Sequence, residues 1–334
     1  MNPKSRYRIG IDVGGTFTDF LLQPAAGPPR AVKVPSTPRD PTEGVFAGLA
    51  EMAGGESTSL GDFLTAVDLI VHGTTITTNA VLTGDVARVG LLTTRGFRDA
   101  LAMRRGIREA QYDNRYRAPE PLVPRWLRLP VTERVDCEGR VLTPLEEGDV
   151  REALAQLGAA GVEAVAICFM HAWANAGHEV AAERLAAAAL PAAYVTRSSA
   201  ILPQIRFTER VSTTVLNAAI GPVLGRYLDR LTARLAETGF GGTLLVMQSN
   251  GGVAAPEVAR SVAASTLLSG PAAAPTAGVA YTAEHALADF ITVDMGGTSF
   301  DVCLVKDGAP AMTAEGWIAR YPFGLPMLAI HTIG

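Results

Sequence analysis

Cysteine is scarce in this 334-residue chain: Cys137, Cys168 and Cys303 stand far apart, with no Cys-x-x-Cys pair. An odd, scattered set excludes a disulfide framework and a cysteine zinc site, and it fits a reducing, cytoplasmic compartment. A basic excess is lacking as well. Lys and Arg number 29 against 33 Asp and Glu, a formal charge of -4, so nothing favours wrapping a nucleic-acid backbone. No run approaches the ~20 continuous apolar residues that span a bilayer, and no apolar signal core precedes the first strand-like run in MNPKSRYRIGIDVGG. Neither a membrane nor secretion is therefore expected. Charged residues amount to 19% and apolar ones to 48%, which excludes disorder as the main state and leaves ample material for a core.

What is present is an alternation of strand-like and helix-like segments, the mark of an α/β protein. RIGIDV (8–13) and FTDFLL (17–22) read as a hairpin turning through Gly14-Gly15. Helical spacing follows at 41–53, a strand at 68–73, a helix at 74–85 and a strand at 87–94. The Arg-, Pro- and aromatic-rich stretch from about 104 to 145 has weak periodicity and reads as an insertion, except for paired strands VTERVD and RVLTP around CEGR. Helix 146–160, strand 162–169, helix 176–189 and strand 192–196 restore the alternation, and a long helix over 207–238 is expected to bend at Gly221-Pro222. The division expected from this order is a lobe over 1–200 and the start of a second over 201–334.

Two windows read alike. IGIDVGGTFTD (9–19) and ITVDMGGTSFD (291–301) both fit Asp-x-Gly-Gly-Thr-x-x-Asp behind an apolar strand. Adjacent glycines let backbone N–H groups converge without Cβ obstruction, a concavity suited to phosphate oxygens. Alone, either window is an ordinary turn; as a pair with equal acid spacing they read as phosphate-binding loops. Gly14, Gly15 and Thr16, with Gly296, Gly297 and Thr298, are the expected phosphate ligands. Asp12 and Asp294 stand at strand ends, where a carboxylate can hold water on Mg²⁺, and Asp19 and Asp301, which close each pattern, are placed with the phosphate-binding residues, to orient the loops or a water.

The paired hairpins resemble the phosphate loops of the actin, Hsp70 and sugar kinase ATPase superfamily, in which two lobes clamp ATP. More narrowly, VHGTTITTNAVL (71–82), GLLTTRGFRD (90–99), QSNGG (248–252), SGPA (269–272) and VDMGGTSFD (293–301) resemble the hydantoinase/oxoprolinase family, in its ATP-using A subunit or N-terminal half. The resemblance covers essentially the whole chain. It implies an actin-like (ribonuclease H-like) two-lobed α/β fold, with ATP and Mg²⁺ as cofactors. It also implies ring opening of a cyclic amide of the hydantoin, N-methylhydantoin or 5-oxoproline type, through phosphorylation of the amide oxygen. Asp12 and Asp294 would then be catalytic, and a B-type subunit would complete a hetero-oligomer. Members of the family continue past HTIG (331–334) into a glycine-rich segment that receives the adenosine, so the second lobe is expected to be incomplete at its C-terminus. The competing readings are an ATP-dependent ketone carboxylase subunit, of acetone or acetophenone type, and a nucleotide-binding switch without chemistry. A glucokinase-like sugar kinase would carry a cysteine-rich zinc motif, which is absent, and a repressor would need a helix-turn-helix ahead of the first strand.

The remaining motifs have two readings each. His72, Gly73, Thr74 and Thr75 end a strand and open a helix whose N-terminus can bind an anion or a carbonyl, or else Thr74 caps the helix over a buried histidine. The resemblance favours the cleft role and adds Asn79. Ser249, Asn250, Gly251 and Gly252 follow a strand, either where ligands approach α/β sheets or as a plain Asn-Gly turn. Ser269 is expected to cap the helix that follows, with Gly270 beside it at a possible phosphate site. The arginines at 104, 105, 108, 115 and 117 read as a solvated surface or a subunit contact. His171 and His178 lack a third metal ligand, and Cys168 and Cys303 read as core.

Overall fold

The computed structural model describes residues 6–37, 39–283, 285, 287–295 and 300–333. Gly296, Gly297 and Thr298 lie outside the described residues. Contacts gather the chain into two compact units: Met1–Asn79, Leu224–Thr313 and Pro326–Gly334 form the first, and Ala80–Val223 with Ala314–Leu325 the second. The division near residue 200 is one of chain order, whereas these units interleave along the chain.

In the first unit, β1 (Tyr7–Val13), β2 (Phe17–Pro24) and β3 (Arg30–Pro35) run antiparallel to one another, and β4 (Val67–Thr74) lies parallel to β1. Alternation sets the faces, with Ile9, Ile11 and Val13 of β1 and Phe20 and Leu22 of β2 buried. Helix α1 (Pro41–Gly55) begins where the Asp40 carboxylate accepts from Thr42 N, with proline in its first turn, and buries Val45, Leu49 and Met52. A Cβ at Gly48 would stand 2.2 Å from the Phe20 ring, so the glycine lets α1 lie directly on β2. α2 (Leu60–Thr65) and α3 (Ile76–Thr83) flank β4 in sequence. β3 and α2 were not expected.

The second unit is built on a parallel sheet. It contains β5 (Val89–Thr94), the short α4 (Ala100–Met103), β6 (Arg128–Val131), the hairpin β7 (Arg134–Val135) and β8 (Val141–Thr143), and α5 (Glu147–Ala159). β9 (Ala164–Cys168), α6 (Gly177–Ala189), β10 (Tyr194–Arg197) and α7 (Ser198–Ile201) follow. The strand order β10-β9-β5-β6 is parallel throughout and doubly wound. The expectation of an irregular stretch over 104–145 is corrected here, because β6 pairs with β5. Pro130 weakened its strand signal, and an edge position is where a sheet tolerates proline. Strands β5 and β9 are buried end to end, as a sheet covered on both faces requires.

Helix α8 (Phe207–Glu237) is unbroken in its helical assignment through Pro222. Val211, Val215, Ala218 and Ala219 join the core of the second unit, while Leu224, Leu228, Leu231 and Leu235 are buried in the first. The Tyr194 ring fills the space beside Gly221, where a Cβ would stand 2.4 Å away. β11 (Thr243–Met247) pairs parallel to β4, and β12 (Val253–Ala254) closes that edge. The resulting order β3-β2-β1-β4-β11, an antiparallel triplet followed by parallel strands, is the ribonuclease H-like arrangement of actin-like ATPases.

α9 (Pro256–Ser261) and α10 (Ala273–Ala283) lead to the second aspartate hairpin, β13 (Phe290–Met295) and β14 (Phe300–Lys306). β15 (Ala309–Pro310) pairs with β14, and β16 (Met312–Thr313) with β19 (Met327–Leu328). β17 (Gly316–Ile318) pairs with β18 (Tyr321–Phe323), and β20 (Ile330–Ile333) with β14. Among the described residues, no helix is long and apolar enough to cross a membrane.

Candidate functional site

The first hairpin turns through Gly14, Gly15 and Thr16. Neither glycine has positive φ, so the turn does not depend on the left-handed region. What glycine supplies is room: a Cβ at Gly15 would meet nothing within 4 Å, while one at Gly14 would press on Phe17 O at 3.0 Å. The Gly14 N–H donates to Phe17 O at 3.0 Å, so it is committed within the loop. Gly15 and Thr16 are exposed at the tip. Ser36 fastens the loop from behind: its Oγ donates to Gly14 O at 2.8 Å, and its N–H to Thr16 O at 2.9 Å.

Asp12 lies on the inner strand of this hairpin, opposite Asp19 on β2 and Gly73 on β4. A Cβ at Gly73 would stand 3.1 Å from Asp12 Oδ1, so glycine keeps the carboxylate's place clear. Asp12 keeps solvent access, although neighbouring chain crowds its carboxylate on one side. That partial desolvation, and then the charges of Asp19 and Asp294, raise its pKa above the usual carboxylate value, while Lys33 acts the other way. Lys33 Nζ itself holds Asp19 Oδ1 at 2.7 Å. The fields of Asp12, Asp19 and Asp294 thus act on one position. A hydrated Mg²⁺, which takes one or two carboxylates and keeps several waters, suits such a set. Among the described residues there is no group of three or more His, Cys, Asp or Glu side chains placed to ligate a metal together.

The β4–α3 junction lies against Asp12. Thr75 N–H and Oγ each donate to Val13 O at 3.1 Å, and Thr74 Oγ accepts from Ile76 N at 3.2 Å as the helix cap. Asn79 Nδ2 reaches Thr75 Oγ at 3.2 Å, one helical turn on, so Asn79 shares the face of Thr75. His72 is different, for it is wholly buried, with Nε2 and the Tyr227 hydroxyl of α8 2.8 Å apart. Nδ1 has no partner among the described residues. Burial lowers the His72 pKa to about 4, keeping the ring neutral, and pushes the Tyr227 phenol up. Gly73 and Thr74 are buried too, so this trio underlies the site and only Thr75 and Asn79 reach its surface.

The turn at 269–272 reaches the same place. A Cβ on Gly270 would lie 3.4 Å from Thr75 Cγ2 and 3.8 Å from Asp12 Oδ1. The expected capping of α10 by Ser269 is corrected: its Oγ donates to Thr74 O at 3.2 Å and ties the two motifs together. Thr78 Oγ accepts from Leu268 N at 2.9 Å, and the Thr77 and Thr266 hydroxyls are 2.9 Å apart. Gln248 to Gly252 form a tight turn in which Asn250 Oδ1 accepts from Gly252 N at 2.9 Å and Gly251 has φ of 80°. Ser249 is buried, its N–H donating to Ser265 O and its carbonyl accepting from Leu328 N. The turn's neighbours are thus Ser265, Thr276 and Leu328 rather than Asp12.

The second hairpin repeats the first in register, with Asp294 opposite Asp301. Asp294 is exposed on β13, and Asp301 is buried on β14. The residues that sequence reading missed are Lys33 and Ser36, around the end of the unexpected β3, and Tyr227, which lies 155 positions from its partner His72. The alternation in RAVKVP was the available signal for β3. The expected solvated arginine surface is corrected in one place, because Arg104 is buried. Cys168 and Cys303 are buried, the former thiol pushed up to about 12 by its surroundings.

A family model described as the hydantoinase/oxoprolinase N-terminal region matches residues 8–190, and one described as hydantoinase/oxoprolinase matches residues 210–334. The chain is similar to the caprolactamase subunit alpha of Pseudomonas jessenii, at 40% identity over 333 residues that cover 99% of this chain and 48% of that protein. The crystal structure of the ATP-dependent caprolactamase from the same organism matches with a TM-score of 0.91 at 39% identity, covering 98% of this chain and 48% of that one. A nucleotide-free structure of acetone carboxylase matches with a TM-score of 0.89 at 27% identity, with the same coverage of 98% and 48%. The chain spans about half the length of the curated relatives it matches.

Proposed function

Because the chain belongs to the hydantoinase/oxoprolinase family, we propose that it is the nucleotide-handling part of an ATP-dependent enzyme that opens a cyclic amide. The observation that carries this reading is the closeness of the Asp12 carboxylate, the exposed Gly15–Thr16 tip, Thr75 and Gly270. Resonance makes an amide carbon a poor electrophile. Attack of the amide oxygen on the γ-phosphorus of ATP, with ADP leaving, makes that oxygen a leaving group. Water then adds to the carbon, the C–N bond opens with the proton passing to nitrogen to leave an acyl phosphate, and a second water attacks that carbon and releases phosphate. In this scheme Gly15 and Thr16 supply the N–H and hydroxyl donors to phosphate oxygens, and Gly14 supplies space. Gly296, Gly297 and Thr298 do the same in the second hairpin. Asp12 and Asp294 orient the waters of Mg²⁺, which supplies charge neutralisation for the phosphates when bound. Thr75 and Gly270 border Asp12, Asn79 holds Thr75, Gly73, Thr74, Ser269 and His72 lie behind them, and Asp19 and Asp301 hold the strand pairs. We assign Ser249 to Gly252 to the substrate side. A B-type partner, a cytoplasmic setting and the modules 1–200 and 201–334 belong to the same proposal.

Oxygen transfer tests it. With the complete enzyme and a lactam carrying oxygen-18 in its carbonyl, the label is expected in inorganic phosphate, and turnover is expected to collapse in Asp12→Asn. ATP hydrolysis coupled to ring opening without label in phosphate would exclude O-phosphorylation followed by water attack at carbon. The likeness to acetone carboxylase supports a second reading, phosphorylation of a ketone before carboxylation. ATP use that depends on ketone and bicarbonate, and not on lactam, would select it. No ATP use under either condition would leave a nucleotide switch.

A further inference from the structure

Residues 107–124 of the second unit contain no helix or strand. A loop of that length within a compact domain is usually either disordered or kept for a function, and this one is pinned by its own contacts. Arg104, at its root, is 6% exposed. Its Nη2 donates to Glu109 Oε1 at 2.5 Å and its Nη1 to the Tyr116 hydroxyl at 3.2 Å, and that hydroxyl donates to Glu109 Oε2 at 2.5 Å. Arg320 of the β17–β18 turn donates to Glu109 Oε2 at 3.2 Å and to Arg117 O at 2.9 Å, and the Tyr321 hydroxyl donates to Glu120 O at 2.8 Å. Arg105 ties the root to α8 through Glu209 at 2.7 Å. Arg104 and Arg105 have φ of 47° and 56°, two successive non-glycine residues in the left-handed region. Strain of this kind persists where the surroundings over-determine the backbone.

This frame holds the backbone and leaves other side chains of the segment in water. Tyr112 is 95% exposed, Met103 68% and Ile107 40%. Arg108, Arg115 and Arg117 are exposed too, and none of the three is in an ion pair among the described residues. Arg108 is nevertheless steadied, its guanidinium 5.0 Å from the centre of the Tyr116 ring. From 103 to 118 the segment carries five arginines against two acids, Glu109 and Asp113, in a chain whose formal charge is -4. Glu109 is already engaged by Arg104, Tyr116 and Arg320, so the outward field of the loop is positive.

An exposed tyrosine and methionine among unpaired arginines has the composition of a protein–protein contact, in which aromatic, Met and Arg anchors are enriched. Because the loop is held by its own hydrogen bonds, docking it costs little ordering entropy. Guanidinium groups match carboxylates in a bidentate geometry, so the complementary surface is acidic. A nucleic acid would answer the arginines but not Met103 and Ile107, and three free cations on an acidic chain give little hold on a phosphate backbone. We propose that this loop is the docking surface for a separate protein subunit whose facing patch carries carboxylates around an apolar pocket for Tyr112. The proposal rests on the reading that a B-type subunit completes the enzyme, and it names where that subunit binds.

The test is assembly of the complete enzyme, the full chain titrated with its B-type subunit in the analytical ultracentrifuge. Tyr112→Ala should weaken assembly by about tenfold or more. The combined reversal Arg108→Glu, Arg115→Glu and Arg117→Glu should weaken it by about a hundredfold or more. Raising the salt from ~0.05 to ~0.5 M should loosen the wild-type complex and tighten that of the reversed variant, because it screens attraction in one and repulsion in the other. Arg184→Glu, at an exposed arginine of α6, is the control and should leave assembly unchanged. Each variant alone should unfold within a few degrees of the wild type, since the replaced side chains are exposed. Unchanged affinity in both Tyr112→Ala and the charge reversal would overturn the docking surface while leaving the partner reading in place. No complex with the wild-type chain would overturn the partner reading, and the docking surface with it. Self-association of the chain alone that Tyr112→Ala abolishes would assign the loop to a second copy and overturn the acidic partner.

Discussion

The two aspartate hairpins share a sequence pattern and a strand register, but they stand in different surroundings. In the first, the leading Asp12 is on β1, an inner strand flanked by β2 and β4. In the second, Asp294 is on β13, at the edge of its sheet among the described residues, and its partner strand β14 is the inner one. The same alternation therefore buries Ile9, Ile11 and Val13 but leaves Ile291, Val293 and Met295 exposed. The charges differ in the same way. Asp19 is exposed and answered by Lys33 of β3, whereas Asp301 is buried between β13 and β20. Local pattern makes the hairpin and faces the two acids across it, and the neighbouring strands decide what each acid experiences.

The strongest way to break the comparison is to neutralise each leading acid in the complete enzyme. Asp12→Asn and Asp294→Asn should each lower ATP turnover by about a hundredfold or more while changing nucleotide affinity less than about tenfold, since charge on the metal waters matters most during phosphoryl transfer. Steady-state rates and equilibrium titration of both variants decide it. A normal rate in Asp294→Asn would reduce the second hairpin to a structural echo of the first.

A smaller effect is expected behind β1, where β4 supplies a layer that β13 lacks on its outer side among the described residues. Tyr227→Phe removes the hydrogen-bond partner that the His72 ring has among the described residues and should cost about 1–3 kcal/mol in a urea titration. Because burial lowers the His72 pKa from 6.5 to about 4, the unfolded chain binds more protons between those values. Stability from this group is therefore complete above about pH 6.5 and is lost as pH falls toward 4. His72→Phe should flatten that part of the stability profile.

Ser36→Ala sharpens the contrast within the first loop. Losing the hydrogen bond to Gly14 O should cost about 1 kcal/mol and speed amide exchange at 14–17, with β13 and β14 unchanged. The least expected change is in Lys33→Met, which removes an exposed pair worth about 0.2–1 kcal/mol and the one cation that lowers the Asp12 pKa. An acid whose folded pKa is raised loses stability as pH rises through that pKa. Asp12→Asn should thus raise the melting temperature at neutral pH and lose that advantage in acid. Lys33→Met should make the wild-type decline with pH steeper, as thermal melts across pH would record.

Much of this was legible along the chain. The repeated pattern foretold both hairpins and the equal spacing of their acids, though not that the acids face one another, and helical spacing foretold α8 to within a residue of its end. β3 and β6 were not legible. The alternation in RAVKVP is short and follows a loop rich in Gly and Pro, and β6 carries Pro130, even though each strand completes a sheet edge. Arg104 reads as a solvated cation because a charged side chain in an irregular stretch usually is one. Only the Glu109, Tyr116 and Trp317 contacts allow its burial.

The sequence by itself determined what depends on spacing within one segment: alternation in strands, the glycine tips, the equal placement of Asp12 to Asp19 and Asp294 to Asp301, and the family. Tertiary structure alone decided what depends on residues far apart in the chain. It set the burial of His72 under Tyr227, the tie from Ser269 to Thr74, and the crowding of Asp12 by Asp19 and Asp294. It also buried Arg104, whose Nε has no partner among the described residues. The physical reason is one of range. Backbone geometry repeats every two or 3.6 residues and is written locally, whereas burial, charge coupling and unpaired donors are set by which strands and helices become neighbours.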